Sequence, residues 1–178
     1  MKQVGNWWIP AQETAPKVIN LVKTQQWTCS EPLTAALPYV KRRGLALDVG
    51  TWIGDSTLQL AQTFQQVIGF EANPEVYLCC QRNLADRNIT NVVLHNLALT
   101  NTDQDQNFIN RFSTFSGWVD TKNATQLDAN ETSLRVQGAR LDSFALINVD
   151  LLKLDVDSHE SFVLLGACLL YTSDAADD

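Results

Sequence analysis

Apolar and polar positions change their period along this chain. Val18, Leu21, Val22 and Gln25 recur at helical spacing, which predicts a helix over about Lys17 to Gln26. A second short helix is expected from Pro32 to Val40, opened by a proline in its first turn after Ser30 and Glu31. From Leu45 strand and helix alternate. LALDVG is a nearly all-apolar run ending in Asp and Gly, as expected of a parallel strand buried on both faces. After the turn TWIGDS, Leu58, Ala61 and Phe64 or Gln65 fall on successive helical turns. VIGFE is the second core strand. Asn73 then stands as an N-cap before Pro74, and Val76, Cys80 and Leu84 form the buried stripe of the next helix. NVVLHNLAL reads as the third strand.

The stretch from about 100 to 138 is rich in Asn, Thr, Gln and Asp, and its short runs QNFINRF, SGWVD and TSLRVQ suit a meander or hairpin insertion. LDSFALI then reads as a short helix, VDLLKLDV as a fourth core strand and HESFVLLGA as the start of a helix. The βαβαβ order demands a parallel sheet with right-handed crossovers, hence a Rossmann-like, doubly wound α/β fold with helices on both faces, incomplete after the fourth core strand. Residues 1–44 are expected to be a helical and polar cover, and 45–167 the core. Trp7 and Trp8 read as a packing anchor of that cover.

With 178 residues there is room for one ordinary domain, and 45% hydrophobic with 19% charged residues excludes a disordered chain. The net charge of −7 and the scatter of the basic residues argue against a nucleic-acid partner. The short run Lys41, Arg42, Arg43 reads as a solvated loop before a buried strand. No apolar run of membrane-spanning length occurs, and MKQVGNWWIP lacks a secretory signal. Cys29, Cys79, Cys80 and Cys168 have neither metal-site nor disulfide-framework spacing, so a cytoplasmic protein is expected, with Cys79 and Cys80 as packing residues. The tail 168–178, CLLYTSDAADD, resembles the in-frame translation of a sequencing-library adapter, and it carries three aspartates. On that reading the natural sequence stops at Ala167, inside a helix, and the fourth strand is left as an edge that makes the chain marginally stable.

In open α/β sheets ligands bind beyond the carboxyl ends of the strands, near the reversal of strand order, and the chemically suggestive residues fall there. Asp48, Gly50 and Gly54 form D-x-G-x-x-x-G after the first strand, with Thr51, Trp52 and Ile53 between the glycines. Glu71, followed by Ala72 and Asn73, ends the second strand, where a carboxylate can accept from both hydroxyls of a ribose. Asn96, Leu97 and Ala98 close the third strand; Asp155 and Asp157 close the fourth. A dinucleotide needs a pyrophosphate cradle, and GTWIG lacks the third glycine of G-x-G-x-x-G. S-adenosylmethionine carries a sulfonium and an ammonium and no phosphate, which suits carboxylates around the turn.

LALDVGTWIGDST, VIGFEANPE, NVVLHNLAL and LLKLDVDSHESFVLLGA resemble, in order and spacing, the successive motifs of the FkbM family of methyltransferases. The resemblance runs from about Leu45 to Ala167, and the WWIP segment is similar to that of environmental and phage-related members. It implies S-adenosylmethionine as cofactor and methylation of a hydroxyl oxygen on a sugar or other small metabolite. By position it implies that Asp48, Gly50 and Gly54 line the cofactor loop, Glu71 holds the ribose, and Asn96 to Ala98 approach the adenine. Asp155 and its neighbours would face the methyl group. The family commonly has a small or polar residue where Trp52 stands, Pro where Ala72 stands, and D-V-E-G where this chain has Asp155, Val156, Asp157 and Ser158.

Asp155, Asp157 and His159 are the candidate general bases. Asp157 with Glu160 also fits a capping box, His159 also fits a surface position in a first helical turn, and His95 reads as structural. Nothing in the sequence demands a metal. A binding module without turnover and a nicotinamide-dependent dehydrogenase remain the alternative functions; the acceptor and the oligomeric state are open.

Overall fold

The computed structural model describes residues 1–27, 29–111, 117–118 and 131–173. It opens with a hairpin where a helical and polar segment was expected: β1 (Lys2–Val4) pairs antiparallel with β2 (Trp7–Ile9), Val4 opposite Trp7. Gly5 and Asn6 make the two-residue turn, and Gly5 has φ +59, the sign such a turn requires. α1 (Pro16–Thr24) ends earlier than its apolar stripe suggests. Gln25 adopts a left-handed conformation and caps the helix, its N–H donating to Leu21 O, so only Val18 and Val22 of the stripe are buried. α2 (Ser30–Ala36) runs into a 3-10 turn, Leu37–Tyr39.

The alternation that follows is the expected one: β3 (Leu45–Val49), α3 (Asp55–Ala61), β4 (Gln66–Phe70), α4 (Pro74–Ala85) and β5 (Val92–His95). Asn73 caps α4, its Oδ1 accepting from the Glu75 and Val76 N–H groups at 3.0 and 3.4 Å. NVVLHNLAL is not one strand. After β5 the chain leaves the sheet at Asn96, and β6 (Ala98–Leu99) pairs in parallel with a later strand. The cause is local: Asn96 Nδ2 donates to Glu71 O and Ala72 O at 2.8 and 3.2 Å, turning the backbone toward the end of β4.

β7 (Gln106–Arg111), β8 (Gly117–Trp118) and β9 (Glu131–Val136) form an antiparallel sheet in the order β8-β7-β9. The rest of the SGWVD strand and residues 174–178 of the tail lie outside the described residues. β10 (Gly138–Ala139) is the partner of β6, and a 3-10 turn, Leu141–Phe144, leads to β11 (Val149–Leu154), α5 (Glu160–Leu165) and α6 (Cys168–Ser173). No described helix is long and apolar enough to cross a membrane.

The central sheet is wholly parallel in the order β11-β3-β4-β5, so strand order reverses between β3 and β11. This is the Rossmann-like α/β fold. Period-two alternation sorts its side chains: Leu47, Val49, Ile68 and Phe70 pack with Leu141 and Val163 on one face. Ala46 and Val67 pack with Leu33, Leu60 and Phe64 on the other. His95 stacks on Phe70, with centroids 5.3 Å apart, and meets Phe144 edge-on, as its structural reading requires. The four cysteines are free, and Cys79 and Cys80 are buried.

The N-terminal hairpin is bound to the core by Asn83 of α4, which is fully buried. Its Oδ1 accepts from Trp8 N at 2.7 Å, and its Nδ2 donates to Trp8 O and Ile53 O, both at 2.9 Å. Trp7 lies beneath, 1% exposed, with Ile9, Val18, Val22 and Ile53. Asn83→Ala removes the partner of one buried and two part-buried backbone groups and is expected to cost about 2–4 kcal/mol in urea unfolding. A loss below about 0.5 kcal/mol would show that the hairpin is not part of the cooperative unit.

Candidate functional site

The reversal of strand order places the ends of β3 and β11 side by side, and glycine makes that possible. Gly50 has φ +80, and a Cβ on it would lie 2.0 Å from Asp155 O. Gly54, at φ +97, is held by its left-handed backbone and more loosely by packing, since its Cβ would meet Cys80 Sγ at 2.9 Å. Both glycines of D-x-G-x-x-x-G therefore serve close approach within the protein as well as any approach to a ligand.

Asp48 lies beneath this loop and is fully buried. Its Oδ2 accepts from Ser56 Oγ at 2.8 Å and Thr57 Oγ1 at 2.6 Å, and its Oδ1 sits 3.0 Å from Lys153 Nζ. Lys153 also donates to Gly50 O at 2.6 Å. Burial pushes the lysine pKa down, but the neighbouring Asp48 and Asp155 carboxylates outweigh it, and the net shift is upward. Asp48 thus reaches a ligand only through the loop that it holds.

The other expected positions divide in the same way. The side chains of Thr51, Ile53, Asn73, Leu97 and Ala98 are buried and committed to the core or to capping. The crevice is left to Trp52, Glu71, Ala72, Asn96 and Asp155, which are half-buried or exposed. Glu71 is well prepared: Oε2 accepts from Trp52 N at 3.0 Å and Oε1 from Asn73 N at 2.9 Å, so each oxygen keeps a free lone pair. Burial, only partly offset by these N–H donors and by Lys153, raises its pKa from 4.5 to about 7.

At the end of β11, Asp155 is exposed, and Cys29 Sγ donates to its Oδ2 at 3.3 Å. Burial pushes the Cys29 thiol up to about 11. Asp55, the first residue of α3, is raised to about 6 by burial and by Asp48, and it has no ion-pair partner among the described residues. Asp157 is exposed at φ +49. The capping box does not form: α5 begins after His159 without a side-chain cap, and Glu160 Oε1 instead accepts from Val156 N at 3.0 Å. His159 is not at the surface either. It is buried within 3.3 Å of Thr100 Oγ1 and stacked on Phe162, and burial lowers its pKa to about 4.

Residues 48–174 match the methyltransferase FkbM domain family. The chain belongs to that family. No curated protein matches it. Among solved structures it is similar to the precorrin 8W decarboxylase of Methanobacterium thermoautotrophicum, at 23% identity and TM-score 0.39 over 54% of this chain and 47% of that one. A SAM-dependent methyltransferase from Aquifex aeolicus aligns at 15% identity and TM-score 0.38, over 49% and 50% of the two chains. The YcgJ protein of Bacillus subtilis aligns at 20% identity and TM-score 0.36, over 38% and 30%. The chain spans 30–50% of the length of these structures.

Among FkbM chains, the departures at Trp52 and Ser158 gain a physical meaning. Trp52 sits at φ +47, a conformation that costs a β-carbon residue roughly 1–2 kcal/mol. Its ring meets Trp27 edge-on at 6.2 Å, and Trp27 meets Trp7 edge-on at 4.8 Å, so the N-terminal cover offsets the strain with a chain of edge-to-face aromatic contacts. Ser158, at the position where the resemblance leads one to expect glycine, has φ +73.

Lys153, Asp55 and Cys29 were missed from sequence. For Lys153 a signal existed: it interrupts the apolar run of VDLLKLDV, and a largely covered lysine in a core strand needs an anionic partner. Its sheet register, opposite Asp48, names that partner. No group of three or more His, Cys, Asp or Glu among the described residues is placed to hold a metal.

Two outcomes follow from this geometry. Ser158→Gly relieves a left-handed serine and is expected to stabilise the chain by about 0.5–1 kcal/mol in denaturant unfolding; no gain would mean that the turn relaxes without it. Because Glu71 has a raised pKa in the folded state, its contribution to stability is present below about pH 4.5 and lost as pH rises through about 7. The stability of Glu71→Gln relative to the parent should therefore increase over that window, by on the order of 1–3 kcal/mol. A pH-independent difference in melting temperature would contradict the raised pKa of this carboxylate.

Proposed function

We propose that this chain binds S-adenosylmethionine across the ends of β3, β4 and β5 and transfers its methyl group to a hydroxyl oxygen of a sugar or other small metabolite. Glu71 carries the reading: both of its oxygens are anchored by backbone N–H groups and aimed from the end of the second core strand, with lone pairs left for two ribose hydroxyls. The surrounding charge fits a cationic donor, since Asp55 is half-buried without an ion-pair partner among the described residues and Asp155 stands at the crevice mouth. A nicotinamide dinucleotide fits less well, because the helix start that would face its pyrophosphate bears the Asp55 carboxylate.

The donor supplies a methyl group made electrophilic by a sulfonium. The protein's share is orientation and the fate of one proton. As the hydroxyl oxygen bonds to the methyl carbon and the carbon–sulfur bond breaks, the hydroxyl proton must leave. Asp155 is the best-placed base, being exposed at the fourth strand end beside the Gly50 turn. Asp157 is the second candidate. His159 is poorly placed to serve, because it is buried against Thr100 and holds a proton only weakly.

Calorimetric titration with S-adenosylhomocysteine and with a nicotinamide dinucleotide, followed by transfer of labelled methyl to a panel of sugars and hydroxylated metabolites, tests the proposal. Asp155→Asn should leave homocysteine-nucleoside affinity within a few-fold and lower transfer at least about 100-fold. Tighter binding of the dinucleotide would overturn the donor assignment, and binding without transfer to any acceptor would favour the non-catalytic module.

A further inference from the structure

We propose that Lys153 is the positioning residue of the donor site: it fixes the cofactor loop through the Gly50 carbonyl and supplies the buried positive charge that balances the carboxylates lining the crevice. The inference rests on the donor reading above and goes beyond it, because Lys153 belongs to a strand whose expected role was to deliver a base.

The geometry leaves Lys153 little freedom. Its side chain is 13% exposed, its strand is hydrogen-bonded to β3 with Lys153 opposite Asp48, and its ammonium spans Asp48 Oδ1 at 3.0 Å and Gly50 O at 2.6 Å. The first contact holds the strand end and the second holds the loop. Gly50 cannot retreat, since its N–H is bound to Phe70 O at 2.9 Å and its α-carbon abuts the Asp155 carbonyl. One ammonium therefore clamps the place where strand order reverses, with Ser56 and Thr57 completing the shell of Asp48 from α3.

The same ammonium acts at longer range. The groups facing it are Asp48 from β3, Asp155 from the end of β11 and Cys29 from the segment before α2, and its charge is felt by Asp55 at the start of α3 and by Glu71 at the end of β4. Glu71 has Lys153 and Asp48 as its charged neighbours, and the lysine is the stronger influence of the two. Without that cation, several carboxylates and one cationic donor would share a poorly solvated crevice, and the carboxylates would take up protons rather than stay available to the donor.

The test is the pH dependence of S-adenosylhomocysteine binding to the full chain, followed by calorimetry from about pH 5.5 to 8.5. The parent should bind more tightly as Glu71 ionises, with a midpoint near 7. Lys153→Met should weaken binding about ten-fold or more at pH 8 and move the midpoint upward by about one unit. If the unpaired Asp48 prevents that variant from folding, Lys153→Met with Asp48→Asn leaves no buried lone charge, and its midpoint should still rise, by less, because the lysine outweighs the aspartate. Lys153→Arg keeps the charge but places a longer, planar head between Asp48 and the Gly50 carbonyl, which displaces the loop, so it should keep the midpoint and lose affinity. A purely structural lysine would lower affinity equally at all pH values. Parent binding with an unmoved midpoint in the neutral variants overturns the role of Lys153 alone, whereas a parent that binds no S-adenosylhomocysteine overturns both this role and the donor reading.

Discussion

A carboxylate shut away from water stays charged only when donors and a counter-ion replace its hydration, and Asp48 is in that position. Its shell draws on three elements: its own strand β3, the first turn of α3 through Ser56 and Thr57, and β11 through Lys153. Those elements define the crevice. β3 and β4 fix the register of the loop and of Glu71, α3 fixes the loop's exit, and β11 brings Asp155 alongside. An ion pair of this kind adds little net stability over a well-packed apolar pair, but breaking one partner is expensive. It therefore ties the arrangement of the site to the integrity of the fold.

A second level of organisation comes from the N-terminal cover, which is woven into the loop from the opposite side. Asn83 holds the Ile53 carbonyl and the Trp8 backbone with one amide, while Trp27 supports the strained Trp52. The loop 50–54 is thus fixed from below by the Asp48–Lys153 pair and from the flank by the hairpin. A loop held on two sides presents the Trp52 N–H to Glu71 without having to be ordered at the moment of binding.

The parts of this fold that were legible in the sequence are those set by local chemistry. The all-apolar run of Leu45–Val49 bounded by Asp and Gly can hardly be anything but a buried parallel strand, and Asn73–Pro74 announces a helix start by capping geometry. Glu71 was legible as a carboxylate at the end of the second core strand, but its job of holding the Trp52 and Asn73 N–H groups was not. What escaped depends on partners distant in sequence. The break after His95 follows from an Asn96 amide reaching back to Glu71 and Ala72, and the partner of β6 arrives only after the insertion. The Gly5–Asn6 turn was a usable hairpin signal, overshadowed by the paired tryptophans. Asp157 and Glu160 satisfied a capping pattern on paper, yet the left-handed backbone at Asp157 and Ser158 starts the helix elsewhere. Asp48 was recognised as important for a reason only half physical: its charge serves the protein's own lysine before it serves any ligand.

The attachment of the hairpin to α4 carries a consequence for how the chain acquires its shape during synthesis. Trp8 and Asn83 stand 75 positions apart, and Asp86, which accepts from the Trp8 indole, stands 78 away. The hairpin therefore has no surface to dock on until α4 has followed it out of the ribosome. In the interval Trp7 and Ile9, which end among the most deeply buried side chains, travel exposed on a nascent strand with an open edge. The hairpin is thus placed late, and a slow passage between it and α4 would lengthen the period in which a sticky strand pair must be kept from other chains.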